Sequence, residues 1–332
     1  MANIKSNFEA DPLTGNMLDT ASLTYCGQEG QEIFSKQIFD MDLRAYGIRF
    51  MDGLKGKRKL YTGEVSDLWQ EYTCSFDPRG KVVLGEWYIE PNAIKVNLEE
   101  CYDAFWDTYL VEQTSISLNG GIPQTFFDWF FNNKLLAKMG KEYHEMFWQG
   151  DKAHQGTAKM YLKSVDGVEK LLETDDTVEK IDGEIFTVDN ILEQVEAAIS
   201  ASLEKAAEME VDTEAYKVFM NYSDVKVLEI ALGKECCPNN QSIFSNYAKG
   251  ENGVPVIMGF QVVPTLQSRN TVIVGPANNL VLGFDTFDSH IQYKLIDMRE
   301  TTGENKFRVI AISNIGVGVF MPEVFVYSRV NE

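Results

Sequence analysis

The chain has 332 residues, 44% of them hydrophobic and 24% charged, which is the composition of an ordinary globular protein and excludes a disordered or fibrous one. Its 50 acidic and 30 basic residues give a net charge of −20, which excludes a generally basic surface for nucleic acid and disfavours contact with anionic membranes. No apolar run is long enough for a transmembrane helix, and no signal peptide is expected. The five cysteines lack the spacing of a zinc site or a disulfide framework, so we expect a reducing compartment.

The negative charge is unevenly distributed. Residues 61–120 carry a net charge of −8 and residues 181–240 one of −9, whereas residues 1–60 are neutral overall. A short basic run between Arg44 and Lys59 opposes this trend. A solvated lysine-rich loop is the simpler interpretation. The alternative hypothesis is a contact with acidic regions of other copies, because complementary potentials set the register of an interface. The candidate contact residues are Arg49, Lys55, Lys57, Arg58 and Lys59.

The N-terminal part of the chain is predicted to be largely extended. Residues 1–28 have no sustained periodicity and indicate an arm, and a helix is predicted from about 29 to 46. Residues 48–86 predict a β ribbon that is too poor in bulky aliphatic residues to form its own core. Such a ribbon must pack on a neighbour or project from the body. Predicted strands lie at 59–63, 71–76 and 82–96, with a hairpin turn at 77–80 and a break at Pro91.

The strongest periodic signal predicts a long helix from Ile122 to Trp148. Its apolar side chains recur at steps of three or four residues, which places them on one face. Pro123 suits the first turn, where its missing N–H costs nothing. At ~1.5 Å per residue the helix would be about 40 Å long, which is long enough to run across a whole flat domain. The stripe consists of Phe127, Phe131, Leu135, Met139, Tyr143 and Met146.

The C-terminal half predicts a small α/β unit followed by strands. Residues 152–186 are polar and acidic and indicate only weak strands. An amphipathic helix is predicted at 188–209, a buried strand at 216–220, and a second helix capped by Ser223 and ending at Gly233. Further predicted strands lie at 254–263, 271–274, 280–284, 291–298, 307–313 and 317–327, the last two joined by Asn314–Gly316. This order predicts a mixed α+β fold.

The sequence contains no recognisable catalytic or nucleotide-binding motif, such as G-x-G-x-x-G after a strand, G-K-[ST], G-x-S-x-G or H-E-x-x-H. The adjacent Cys236 and Cys237 lack C-x-x-C spacing and are interpreted as loop thiols. Asp175 and Asp176 are interpreted as solvated surface, and the aromatic run at 126–131 as core and contact surface. The histidines, interpreted as ordinary surface or helix-end residues, are His144, His154 and His290. We therefore expect neither an enzyme nor a cofactor.

Several local motifs carry a resemblance to a known family. Residues 145–151, EMFWQGD, are similar to a helix-end motif of an aromatic, a polar residue, Gly and Asp. The succession 218–223, 259–264 and 279–283 resembles the strand–cap–helix and following strands of an axial domain. The segments at 307–311 and 316–327 resemble the last two strands of a peripheral domain. With the order of arm, ribbon and long helix, the chain resembles the major capsid proteins of tailed bacteriophages, which have the Hong Kong 97-like fold.

The resemblance implies an α+β fold with an N-terminal arm, an extended β loop, a peripheral domain with a long spine helix and an axial α/β domain. The predicted division is 1–47 for the arm and first helix, 48–86 for the β loop, 87–186 for the first part of the peripheral domain with the spine helix at 122–148, 187–285 for the axial domain and 286–332 for the second part of the peripheral domain.

The resemblance also implies a function. A structural protein of this family assembles with its own copies into hexamers and pentamers of an icosahedral head shell in the virion, built in the host cytoplasm around double-stranded DNA. A separate scaffolding protein, a portal and decoration proteins are the further partners that it implies. A net-acidic lining would keep the packaged DNA from adhering.

Two alternatives remain open from the sequence. The first is an encapsulin, a protein compartment of the same fold that encloses cargo proteins. The second is an α+β enzyme or small-molecule binding protein with an acidic cleft between 61–120 and 181–240. Particle diameter and nucleic-acid content separate the first from a phage shell, and electron microscopy of the expressed protein separates the second from both.

Overall fold

The computed structural model describes residues 23–26, 43–66, 69, 71–72, 74, 81–118, 126–235, 247–249, 255–285 and 292–330. The strands are β1 (Leu23–Cys26), β2 (Arg49–Met51), β3 (Arg58–Ser66), β4 (Lys81–Ile89), β5 (Asn92–Cys101), β6 (Glu179–Gly183), β7 (Tyr216–Asn221), β8 (Tyr247–Lys249), β9 (Pro255–Ile257), β10 (Phe260–Thr265), β11 (Thr271–Pro276), β12 (Leu280–Gly283), β13 (Gln292–Asp297), β14 (Lys306–Val319) and β15 (Val326–Val330). The α-helices are α1 (Asp103–Leu118), α2 (Phe126–Phe130), α3 (Leu136–Gln149), α4 (Val168–Thr174), α5 (Ile191–Glu208), α6 (Tyr222–Glu235) and α7 (Met298–Thr301).

The predicted long helix is confirmed from Phe126 onwards. It consists of α2, a π-helical turn at Phe131–Leu135 and α3, which follow one another without a break. The stripe side chains at 131, 135, 139, 143 and 146 are all buried. Trp148 is fully buried, and the helix ends at the predicted Gly150. Residues 119–125, which include the predicted start at Ile122, lie outside the described residues.

A six-stranded sheet is organised around β14. This strand pairs antiparallel with β5, β12 and β13, while β1 extends the sheet from β13 and β2 from β12. The prediction of two strands joined at Asn314–Gly316 is wrong, because β14 runs through these residues. Within β14, Asn314 and Gly316 instead contact neighbouring segments of the chain. The Asn314 side chain accepts a hydrogen bond from the Asp285 backbone N–H at 2.9 Å, and a Cβ at Gly316 would lie 3.2 Å from Pro91 Cα.

The second sheet has seven strands in the order β6-β15-β11-β7-β10-β9-β8. Alternate residues of β7 face opposite sides: Val218 and Met220 pack with α5 and α6, whereas Phe219 packs under the long helix, its ring centroid 5.2 Å from that of Trp148. At the other end of the long helix, the Phe130 ring lies 4.9 Å from Phe307 of β14. The long helix therefore contacts both sheets.

Some predicted elements have different boundaries. The helix predicted at 188–209 is α5, and the strand at 216–220 is β7. The next helix starts at Tyr222, and the Asn221 side chain, instead of the predicted Ser223, accepts the capping hydrogen bond from the Ser223 N–H at 2.9 Å. The stretch at 152–186 contains one strand, β6, together with a 3₁₀ turn at Met160–Ser164 and α4.

Other differences concern the N-terminal half. Helix α1 was not predicted. Glu71, Tyr72 and Cys74 are described but lie outside any strand, so the strand expected at 71–76 is wrong at these positions. Residues 43–47 form a turn at the end of the predicted first helix, whose other residues up to 42 lie outside the description.

The division into domains stays a prediction. Strands β6 and β15, from segments predicted as peripheral, join the seven-stranded sheet, and β12, predicted as axial, joins the six-stranded one. Within the described residues, no helix combines the length and the apolar character needed to cross a membrane.

Candidate subunit-contact surface

Strands β3 and β4 form a separate antiparallel ribbon, in register from Arg58 opposite Ile89 to Ser66 opposite Lys81. Nine residues at ~3.4 Å each make each strand about 30 Å long. The ribbon predicted from the sequence is confirmed, although its predicted turn at 77–80 lies outside the described residues.

The ribbon is anchored to the body at the end where β3 begins and β4 finishes. Ile89 is fully buried and forms a small core with Leu54 and Val281. Trp87 packs edge-on against Phe320, with ring centroids 3.6 Å apart. A Cβ at Gly318 would lie 2.9 Å from the Trp87 ring, so β14 needs a glycine where the ribbon rests on it. The base of the ribbon is therefore part of the folded body.

The other face of the ribbon carries alternating cationic and aromatic side chains. Lys59 is directly opposite Tyr88, and Tyr61 is opposite Glu86, so all four share one face. The Lys57 ammonium lies 4.6 Å from the Tyr88 ring centroid, and the Lys59 ammonium lies 5.2 Å from that of Tyr61. Lys59 also forms an ion pair with Glu86, and hydrogen bonding to that carboxylate raises the pKa of Lys59. We call Lys57, Lys59, Tyr61, Glu86 and Tyr88 the outer ribbon face.

The five predicted contact residues do not form one patch. Lys57 and Lys59 lie on the outer ribbon face, whereas Arg58 is opposite the buried Ile89 and belongs to the other face. Arg49 lies on β2, its guanidinium carbon 5.0 Å above the Phe320 ring. Lys55 is exposed in the connection between β2 and β3. Their role in subunit contact stays a prediction.

Sequence reasoning missed the aromatic residues of the ribbon region. Tyr61 and Tyr88 are 59% and 49% exposed, and Trp69 and Tyr72, between the two strands, are 98% and 89% exposed. The signal that could have found them is the alternation of Lys and Tyr along strands that have no core of their own. Exposed aromatic side chains are enriched on surfaces that become buried on association.

The other candidate residues that the structure describes do not form a second site. His144 is buried, which corrects the expectation of a surface or helix-end position, and burial lowers its pKa to about 4. Asp175 accepts two hydrogen bonds from Thr177 at the surface, as expected of a solvated turn. Among the residues that the structure describes, no three His, Cys, Asp or Glu side chains are grouped to hold a metal ion. Cys236, Cys237 and His290 lie outside the description.

Comparison with solved structures identifies the fold of the chain. No family model matches the sequence, and no curated protein matches it. The satellite phage P4 procapsid contains a chain that superimposes with a TM-score of 0.61 at 9% identity, covering 90% of each chain. The capsid of the Myoviridae phage XM1 gives 0.52 at 11% identity, covering 87% of this chain and 92% of that one. Gordonia phage Cozz gives 0.50 at 11% identity, covering 88% and 86%.

These neighbours define the class of fold, since the similarity extends over nearly the whole of each chain. The fold is that of phage capsid proteins. More particularly, it is the Hong Kong 97-like fold, so the fold expected from the sequence is confirmed.

Proposed function

We propose that this chain is the major capsid protein of a tailed bacteriophage, which assembles with its own copies into an icosahedral shell of hexamers and pentamers around double-stranded DNA. The observation that supports the proposal best is the match in fold with the phage P4 procapsid chain over 90% of both lengths. The protein would then act in the virion after assembly in the host cytoplasm. A scaffolding protein, a portal and decoration proteins would be its further partners.

The ribbon supports the same proposal on physical grounds. It is anchored at its base and leaves a cationic and aromatic face exposed, although the chain has a net charge of −20. An anionic surface on another copy is the partner that electrostatic complementarity favours for Lys57 and Lys59. Contacts between unlike surfaces of identical copies build closed rings where the rotation from copy to copy closes, which is the geometry that a shell requires.

Electron microscopy of the purified, expressed chain, with and without the neighbouring genes of its source, tests the proposal. We expect shells, rings or curved sheets of capsomers. Small shells that carry protein cargo and no nucleic acid would instead indicate an encapsulin-type compartment. Isolated particles of one chain at high concentration would contradict both and favour the enzyme or binding-protein alternative.

A further inference from the structure

Helix α4 lies where the two sheets and the long helix meet. It packs against the end of the long helix and against β14 of the six-stranded sheet. Val168 and Leu172 are fully buried in the main core, and the Gly167 N–H donates to the Gly150 carbonyl at 2.8 Å. Glu169 of the same helix bonds to the connection between β10 and β11 of the seven-stranded sheet. Helix α4 therefore contacts all three parts of the fold, and Glu169 is its link to this connection.

Glu169 is a carboxylic acid in a nearly dry site. The residue is 9% exposed, and its two oxygens accept hydrogen bonds from the backbone N–H and the hydroxyl of Ser268, both at 2.6 Å. Within the described part of the chain, no Lys, Arg or His forms an ion pair with this carboxylate. Two hydrogen bonds from uncharged groups offset only part of the cost of burying a negative charge. The site therefore favours the neutral acid.

The cations near Glu169 are bonded to other acidic residues. Arg329 of β15 lies 2.8 Å from the Glu173 carboxylate. The Lys170 ammonium lies 3.3 Å from the same carboxylate and 3.7 Å from that of Asp151, which follows the long helix. Glu173 is four residues from Glu169 on α4, so ionisation of Glu169 would place two negative charges on one face of the helix. This neighbour also favours a proton on Glu169.

The remaining groups around α4 do not change this preference. Tyr327 of β15 faces Glu169, and burial raises the pKa of this tyrosine, so its hydroxyl stays neutral. Burial in these surroundings raises the pKa of Glu169 to about 7. Further charged groups on the elements packed against α4 pair elsewhere: Lys306 and Arg308 of β14 with Glu99, Glu145 of the long helix with Lys159, and Arg269 of the β10–β11 connection with Asp224.

We propose that Glu169 and Ser268 form a proton-dependent latch between α4 and the β10–β11 connection. While Glu169 is protonated, the latch is closed and holds α4 against residues 266–270. When Glu169 loses its proton to the solvent, the carboxylate gains hydration by leaving Ser268, so both segments open locally while the two sheets stay folded. This inference concerns the single chain and does not rest on the proposed function.

The latch should open as the pH rises. The closed state binds the proton more tightly than the open state, so the opening equilibrium increases about tenfold per pH unit between the ordinary pKa of a glutamate and the raised one. Above about pH 7 both states have lost the proton, and the equilibrium no longer changes with pH. From about pH 5 to pH 7 we expect an increase in opening of roughly 40-fold.

Hydrogen exchange of the full-length chain across this pH range, corrected for the intrinsic exchange rate, tests the latch. In the wild type we expect the protection of amides in 168–174 and 266–270 to fall by that factor. In Glu169→Gln, which keeps the acceptor oxygen and cannot ionise, protection should stay constant. Glu204→Gln, at an exposed position of α5, is the matched control and should behave as the wild type. Light scattering at each pH restricts the comparison to one state of assembly.

Infrared difference spectra of the wild type and Glu169→Gln provide a second readout, because they follow the protonated carboxyl group of Glu169 itself. Its disappearance near pH 7, together with loss of protection in both segments, is the expected result. Titration with constant protection of both segments would overturn the latch, as would identical exchange profiles of the wild type and Glu169→Gln. A Glu169 carboxyl group that is already fully ionised at pH 5 would also overturn it.

Discussion

Ser268 donates two hydrogen bonds to the carboxylate of Glu169, one from its backbone N–H and one from its hydroxyl, both at 2.6 Å. Glu169 lies at the start of α4, and Ser268 lies in the connection between β10 and β11. The Glu169 side chain is buried near Tyr327 and Arg329 of β15 and Glu173 of its own helix, and this burial raises its pKa to about 7. The pair thus fastens α4 to the seven-stranded sheet through a group that titrates near neutrality.

The free energy of unfolding should depend on pH through Glu169. The folded state binds this proton more tightly than the unfolded state, so stability from this group is present at low pH and is lost as the pH rises through about 7. We expect the Glu169→Gln variant to gain on the wild type by up to about 3 kcal/mol between pH 5 and pH 8. Denaturant unfolding across this range measures the difference. Glu204→Gln, at an exposed position, is the control, and parallel pH profiles of the wild type and Glu169→Gln would contradict the prediction.

Gly167 packs against the C-terminal end of the long helix, and a side chain at this position should destabilise the protein. A Cβ there would lie 2.6 Å from the Gly150 nitrogen and 2.7 Å from the Trp148 carbonyl oxygen, and these backbone atoms cannot easily move. We expect Gly167→Ala to lower the free energy of unfolding by about 2 kcal/mol or more. Gly233→Ala is a matched control in α6, because nothing lies within 4 Å of its added Cβ. It should be neutral or stabilising by up to about 1 kcal/mol, and equal effects of the two variants would refute the steric explanation.

Two adjacent residues of β4 should have different roles, because Ile89 anchors the ribbon to the body and Tyr88 lies on its outer face. Ile89→Ala removes buried apolar volume at the base of the ribbon and should cost about 2–4 kcal/mol, with faster proteolysis between 58 and 89. Tyr88→Ala changes the exposed outer face and should leave stability nearly unchanged while reducing shell yield. Calorimetry, limited proteolysis and particle counts measure the three effects. A fully assembling Tyr88→Ala would count against the outer ribbon face as a contact.

Gln267 should be indispensable to the connection between β10 and β11. It is fully buried, donates to the carbonyls of Phe219 and Thr271 at 3.0 and 2.7 Å, and accepts from the Thr265 hydroxyl at 3.1 Å. Gln267→Leu removes the amide donor of the Phe219 and Thr271 carbonyls, whereas the Thr265 hydroxyl keeps its hydrogen bond to the Met220 carbonyl. The loss should destabilise the protein by about 2–4 kcal/mol. Gln261→Leu, at a half-exposed position of β10, should change thermal stability little. A wild-type melting temperature for Gln267→Leu would show that the connection rearranges to satisfy these groups.

Charge reversal tests the division of the basic residues between two faces. Lys57→Glu/Lys59→Glu reverses the outer ribbon face and should abolish shell assembly, because like charges then oppose each other across the contact. Lys55→Glu/Arg58→Glu makes the same change in net charge away from that face and should still assemble. Since Lys59 pairs with Glu86, Glu86→Gln shows what loss of the ion pair alone does. Identical behaviour of the two double variants would mean that overall charge, not this face, governs assembly.

The sequence predicted the elements that depend on a repeated apolar pattern. The long helix and α5 were found because their buried positions recur at helical spacing. Helix α1 is not predicted because its only buried positions are Tyr109 and Gln113, whereas Val111 and Leu118 are exposed, so no apolar stripe marks its inner side. A helix with so few buried positions leaves only a weak periodic pattern in the sequence.

The candidate contact surface is only partly predictable from the sequence. The sequence located the basic run, but the face on which each side chain lies depends on the pairing of Lys59 with Tyr88. No two-residue turn fixes that register, because 14 residues separate the paired ends of β3 and β4. In the same way, Asn and Gly are residue types typical of turns, so the sequence predicts a turn at Asn314–Gly316. In the structure these residues lie within a strand, where Pro91 approaches Gly316 closely and Asp285 bonds to Asn314.

The chain passes from β14 to β15 through a single 3₁₀ turn at Pro322–Val324, so residues 306–330 supply the middle of one sheet and an inner strand of the other. Local unfolding of one sheet therefore acts on the other sheet through the short connection between β14 and β15. The two sheets should open together as one cooperative unit, with similar hydrogen-exchange protection in β11 and β13. A subunit that is pulled or twisted through its ribbon would then respond as one mechanical unit, because the short connection passes a displacement of one sheet to the other.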